Sequence, residues 1–179
     1  MANIKEIIEN TNIEWEKSLP ENDKVLMNEI KKILSVLDTI VTGGLSNKIE
    51  LSKIAGTLAN YKFSLSECLS NANKKAKLAE DYYKSKKSII REAVKDELEK
   101  EGTKKVTKDD INAKIDEQVI VQRIIFSLEQ AYYENLKNYY YTISEMLDVI
   151  KQRIMVIMSE EGAVKYANDE LGMKFKNVN

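Results

Sequence analysis

Histidine is absent from this sequence. With it go imidazole acid–base catalysis, Ser-His-Asp triads, Cys-His dyads and every histidine-containing metal motif. A single cysteine, Cys68, leaves no intramolecular disulfide and no all-cysteine zinc site within one chain. Proline occurs once and glycine six times in 179 residues, so few positions can break a helix. No apolar run approaches the roughly 18 residues that a membrane span needs. The opening MANIKEIIENTNIEWEK has no long apolar core of the kind a secretory leader carries. With the lone thiol, these absences predict a cytoplasmic protein that needs no metal, cofactor or membrane.

A phosphate-binding loop is missing too, because TGGLSN (Thr42–Asn47) lacks the Gly-x-x-x-x-Gly-Lys spacing. Carboxylates are plentiful. The pairs Asp109–Asp110 and Glu160–Glu161 point about 100° apart on a helix, so they read as helix-terminus charges and not as convergent dyads. The sequence predicts no enzyme. A helical carboxylate–metal enzyme stands as a remote third class, which loss of activity on chelation would reveal.

What is present is helix-forming. Hydrophobic residues make up 43% of the chain and charged residues 32%, enough for a core and a heavily charged surface. Ile4, Ile8, Trp15 and Leu19 share a helical face that stops at Pro20. Leu26, Ile30, Ile33, Leu37 and Ile40 give a second amphipathic helix, ended by TGGLSN. After Ser46, Ile54, Leu58, Tyr61, Leu65, Cys68 and Ala72 alternate in steps of four and three. Ala76, Ala79 and Tyr83 then follow an extra four-step, a stutter. Cys68 lies on this seam and reads as a small core residue. Nothing interrupts the run before Gly102, which predicts a helix of about 80 Å that needs a partner along its length.

The partner is the next apolar run. EGTKKVTKDD (Glu101–Asp110) reads as a connection, with Thr107 as the helix start. From there Ile125, Leu128, Tyr132, Leu136, Tyr139, Ile143, Met146, Ile150, Ile154 and Ile157 hold the period to about Glu161, where Gly162 is expected to end the helix. A short helix over 163–171 and a polar tail follow. The fold class is therefore all-α: a long antiparallel, coiled-coil-like helical hairpin with two shorter N-terminal helices and a short C-terminal one. The expected division is 1–45, 46–161 and 162–179 within one folding unit. With the hairpin tip near Lys104, facing residues sum to about 208, give or take a turn. That sets Lys75 near Tyr133 and Tyr82 near Phe126. Val119, Val121, Ile124, Ile125 and Phe126, with Met155, Val156, Ile157 and Met158, exceed one stripe, which predicts burial on more than one side and a homo-oligomer.

The net charge is −1, so attraction for a polyanion must come from uneven charge. ANKKAKLAEDYYKSKKSIIR (Ala72–Arg91) supplies it. Lys74, Lys75, Lys77, Lys84, Lys86, Lys87 and Arg91 stand against Glu80 and Asp81. In the doublet Tyr82–Tyr83 only one ring can face the seam. If Tyr83 does, Tyr82 shares a flank stripe with Lys75 and Lys86, while Tyr133, Lys137 and Tyr140 share one on the later helix. Aromatic faces among ammonium groups suit single-stranded nucleic acid, with bases stacking on tyrosine and lysines neutralising phosphates. Few arginines are available for bidentate base-edge contacts, so the expected binding is sequence-independent. The plainer alternative is a solvated helix face with tyrosines in the core.

Two blocks carry a family resemblance. KKAKLAEDYYKSK (Lys74–Lys86) and LDVIKQR (Leu147–Arg153) look like blocks of the UvsY-type phage recombination mediators, in order and spacing style over about residues 70–160. Glu80 stands where that pattern would place another basic residue. The resemblance implies a non-enzymatic, ring-forming protein that binds single-stranded DNA. Such a protein helps load a RecA-like recombinase onto strands covered by single-strand-binding protein. The implied contacts fall on Lys74, Lys75, Lys77, Tyr82, Tyr83, Lys84, Lys86, Lys87, Lys151 and Arg153. The rival reading is a protein–protein interaction module of a phage or mobile element, an adaptor or an inhibitor of a host enzyme, with the long helices as its docking surface.

Overall fold

The structure, a computed structural model, describes residues 4–42, 48–100 and 107–176, and side chains except those of 4, 36–42, 98–99, 110 and 167–176. Five helices and no strand occur among the described residues: α1 (Ile4–Ser18), α2 (Glu21–Thr42), α3 (Lys48–Lys100), α4 (Lys108–Gln118) and α5 (Ile120–Lys176). The protein is all-α, and α3 packs against α5 as the arms of a helical hairpin. No described helix is long and apolar enough to cross a membrane.

The local sequence accounts for most helix ends. Pro20 disfavours helical geometry at Leu19, so α1 stops at Ser18, whose hydroxyl donates back to the Trp15 carbonyl. The Pro20 carbonyl then accepts the first bonds of α2 from the amides of Asp23 and Lys24. The Thr107 carbonyl accepts from the Ile111 amide and opens α4. The expected stop at TGGLSN beyond Thr42 and the connection at 101–106 lie outside the described residues, as do the side chains of Leu37 and Ile40.

Two expectations for the second arm are corrected. The arm is not one helix from Thr107: it breaks at Val119 between α4 and α5. The break is one residue wide. The Val119 amide still donates to the Ile115 carbonyl and its own carbonyl still accepts from Arg123, both at 3.0 Å. Val119 is fully buried, and the apolar period runs on across it, so the pattern gives no sign of the change in geometry. Nor does Gly162 end the arm. α5 continues to Lys176, and 163–171 is part of it rather than a separate short helix. A lone glycine costs a helix only about 1 kcal/mol relative to alanine, and no proline follows to enforce the stop.

The chain groups into two compact units, each drawing on both arms. One holds Met1–Lys24 and Glu67–Lys137; the other holds Val25–Ser66 and Asn138–Asn179.

In the second unit the core is a heptad seam. Leu51, Leu58 and Leu65 on α3 and Ile143, Ile150 and Ile157 on α5 are buried at intervals of seven, joined by Ile30 of α2. Leu51 with Ile157, Leu58 with Ile150 and Leu65 with Ile143 each sum to 208, the antiparallel register the sequence implies. Seven-residue repeats of this kind sustain coiled-coil packing. At the edges Lys48 pairs with Glu161 at 3.2 Å, and the Tyr61 hydroxyl donates to Glu29 at 3.1 Å.

In the first unit the seam narrows and changes register. Ala72 and Leu136 still sum to 208, but Ala76 follows Ala72 after four residues, which is the stutter. Beyond it Tyr83 with Phe126, Ile90 with Val119 and Val94 with Ile115 each sum to 209. Ile90, Val94, Ile115 and Val119 form one buried cluster, with Tyr83 and Ile111 packed against it. Tyr83, not Tyr82, therefore meets Phe126: the rings stack at 6.1 Å and 7°.

Candidate nucleic-acid interface

Successive residues on a helix point about 100° apart, so burying Tyr83 against Phe126 turns Tyr82 outward. Tyr82 is 59% exposed. Lys74, Lys75, Lys77 and Arg91 are exposed and Lys86 is half-buried, with Lys75 and Lys86 on the face of Tyr82, and none of these five makes an ion pair among the described residues. Their ammonium and guanidinium groups are available to an anion.

The remaining lysines of the run are already engaged. Lys84 lies 2.6 Å from the Glu80 carboxylate, which holds its ammonium above the usual lysine range. Lys87 lies 3.9 Å from Asp116 of α4 and 5.7 Å from the centre of the Tyr83 ring. Both face a carboxylate that a phosphate would have to displace.

The stripe expected on the second arm is divided. Tyr133 and Lys137 belong to the first unit, Tyr140, Lys151 and Arg153 to the second. Lys137 is half-buried, 3.4 Å from Glu134 and 5.8 Å from the centre of the Tyr133 ring. Tyr140 is half-buried beneath Lys62, whose ammonium sits 5.0 Å from the ring centre, and it packs edge-on against Tyr141 at 6.1 Å. Lys151 and Arg153 are exposed. Helix geometry thus sets Lys75 and Lys86 on the same face of α3 as Tyr82, turns Lys77, Lys84 and Arg91 to the opposite flank, and leaves Tyr133 and Tyr140 of the second arm partly covered by Lys137 and Lys62.

Periodicity gives no sign of a polar cluster in the first unit. Asp23, at the start of α2, accepts from the Tyr132 hydroxyl at 2.9 Å and from the Cys68 thiol at 3.3 Å. Trp15 donates its indole N–H to Glu129 at 3.0 Å and meets the Tyr132 ring edge-on at 5.9 Å. Burial, then the hydrogen bond to Asp23, pushes the Cys68 thiol up to about 11 and raises the Tyr132 phenol. Cys68 is accordingly a protonated, poorly nucleophilic thiol at neutral pH. Only the Asp23 carboxylate could have hinted at this cluster, and in sequence it reads as an ordinary first-turn acid. The described residues include no group of three or more side chains able to hold a metal ion.

No family model, curated protein or solved structure matches the chain.

Proposed function

We propose that this chain is a non-enzymatic, cytoplasmic single-stranded DNA-binding protein that acts as a recombination mediator or accessory factor and also forms homo-oligomers. The observation that carries the reading is the exposed Tyr82 ring flanked on its own face of α3 by Lys75 and Lys86, with Lys74 a quarter-turn away, all three without ion pairs among the described residues. A base stacked on Tyr82 would contribute roughly 1–3 kcal/mol, and the lysines would release counterions from the phosphates. Lys84, Lys87 and Arg91 border the same run, and Tyr133, Lys137, Tyr140, Lys151 and Arg153 are secondary contacts. The recombinase or single-strand-binding protein partner rests on the family resemblance alone.

The test is fluorescence anisotropy of a labelled single-stranded oligonucleotide at two salt concentrations. The expected result is salt-sensitive binding, weaker to the same sequence as duplex. Replacing Lys74, Lys75 and Lys86 together by Ala should flatten the salt slope by about two units. Replacing Lys84 and Lys87 should flatten it less, because Glu80 and Asp116 already hold them. No binding at low salt would end the proposal. A second reading, a protein-docking module, is favoured by the aliphatic Leu78 and Ile89 exposed beside Tyr82, which serve neither phosphates nor base stacking.

A further inference from the structure

Leu78, Tyr82 and Ile89 are 69%, 59% and 64% exposed on one face of α3, about a third of a turn round from the buried Ala76, Ile90 and Val94. The face extends back to Lys75 and forward to Ala93 and Asp96, all exposed. Its spacing is palindromic. Outward from the point between Ser85 and Lys86, the two directions meet Tyr82 and Ile89, then Leu78 and Ala93, then Lys75 and Asp96. Each of those pairs sums to 171. The two ends carry opposite charge, and neither Lys75 nor Asp96 makes an ion pair among the described residues.

Such a face is complementary to itself run backwards. The geometry points to a second copy of this chain as its occupant, with two α3 helices packed antiparallel about a two-fold axis between Ser85 and Lys86. Tyr82 then lies against Ile89 of the other copy, Leu78 against Ala93, and Lys75 against Asp96. A parallel pairing would set like charges together at both ends. The stretch from Lys75 to Asp96 spans about 32 Å, three heptads, enough for coiled-coil packing. A two-fold contact uses the same patch on both copies and closes at two subunits. One consequence rests on the DNA reading above: Tyr82 sits in the middle of the face, so a bound strand and a second copy exclude one another there.

Sedimentation velocity of the full chain, from low to high micromolar concentration, tests the pairing. The expected result is a concentration-dependent monomer–dimer equilibrium. Lys75→Glu or Asp96→Lys alone should raise the dimer dissociation constant about tenfold, and the double variant should restore it, because the charges are then exchanged rather than matched. Ile89→Glu should give a monomer with unchanged helicity, since the side chain it replaces is exposed. A chain that stays monomeric at every concentration would leave the face to a strand or to another protein and overturn the inference. So would a dimer indifferent to both single reversals. Adding the single-stranded oligonucleotide separates the two ideas. A dimer that ignores the strand defeats the DNA reading alone, whereas a strand bound by a chain that never dimerises defeats the pairing alone.

Discussion

The two units solve the same packing problem with different chemistry. In Val25–Ser66 with Asn138–Asn179 the arms meet through leucine on one side and isoleucine on the other, repeated every seven residues. In Met1–Lys24 with Glu67–Lys137 they meet through alanine, stacked aromatics and a small aliphatic cluster, flanked by a carboxylate that receives two hydrogen bonds. A repeated Leu–Ile seam is strong but degenerate, because sliding one arm by a heptad returns leucine to isoleucine. The stutter at Ala72–Ala76, the Tyr83–Phe126 stack and the Asp23 cluster have no counterpart one heptad away. Aliphatic repetition supplies stability, and the irregular unit supplies the register.

The largest effect should therefore come from the repetitive seam. Leu58→Ala, or Ile150→Ala, is expected to destabilise the protein by about 2–5 kcal/mol in denaturant unfolding, because each deletes a fully buried side chain. A loss under about 1 kcal/mol would show that the seam is not the main source of stability.

In the irregular unit, Asp23→Ala should cost about 1–3 kcal/mol, by leaving the Tyr132 hydroxyl and the Cys68 thiol without their acceptor. The same cluster gives a pH dependence. The unfolded thiol ionises from about 9.0, whereas the folded one stays protonated to about 11. Between these values the folded state holds the extra proton. The contribution is thus complete below pH 9.0 and disappears as pH rises through 11, with Tyr132 acting in the same sense. The thermal midpoint should fall across that window, and Cys68→Ser should flatten part of the fall. An identical profile for the variant would remove Cys68 from the account.

The smallest effect has the opposite sign. Gly162 is helical, exposed and has nothing within 4 Å of where a Cβ would stand. Gly162→Ala should stabilise by about 0.5–1 kcal/mol, a small rise in the midpoint. No change, or a loss, would mean that α5 gains nothing from better helix propensity there.

Much of this architecture is legible in the amino-acid pattern, because a heptad seam is a local signal repeated many times. Leu58, Leu65, Ile143 and Ile150 announce both arms, and the register near 208 follows from chain length between them. The doublet Tyr82–Tyr83 is legible for the same reason, since helix geometry allows one ring inward. What escapes depends on single residues or distant ones. Gly162 looks like a stop, yet its cost is smaller than the gain from extending an existing helix. Val119 breaks the second arm without interrupting its apolar period. Asp23 meets Tyr132 across 109 positions of sequence, and no periodicity encodes that. Which lysines are engaged is hidden too: Glu80 before Lys84 is readable as a four-residue pair, but Asp116 opposite Lys87 is not.

Trp15 is the chain's one tryptophan; its indole N–H donates to the Glu129 carboxylate and its ring packs edge-on with Tyr132. The molecule therefore carries its own optical reporter. Intrinsic indole emission comes from a single site, where α1 docks on α5. A shift in its wavelength or a change in its quenching would record α1 leaving that seat, in unlabelled protein, while the leucine–isoleucine seam stays spectrally silent.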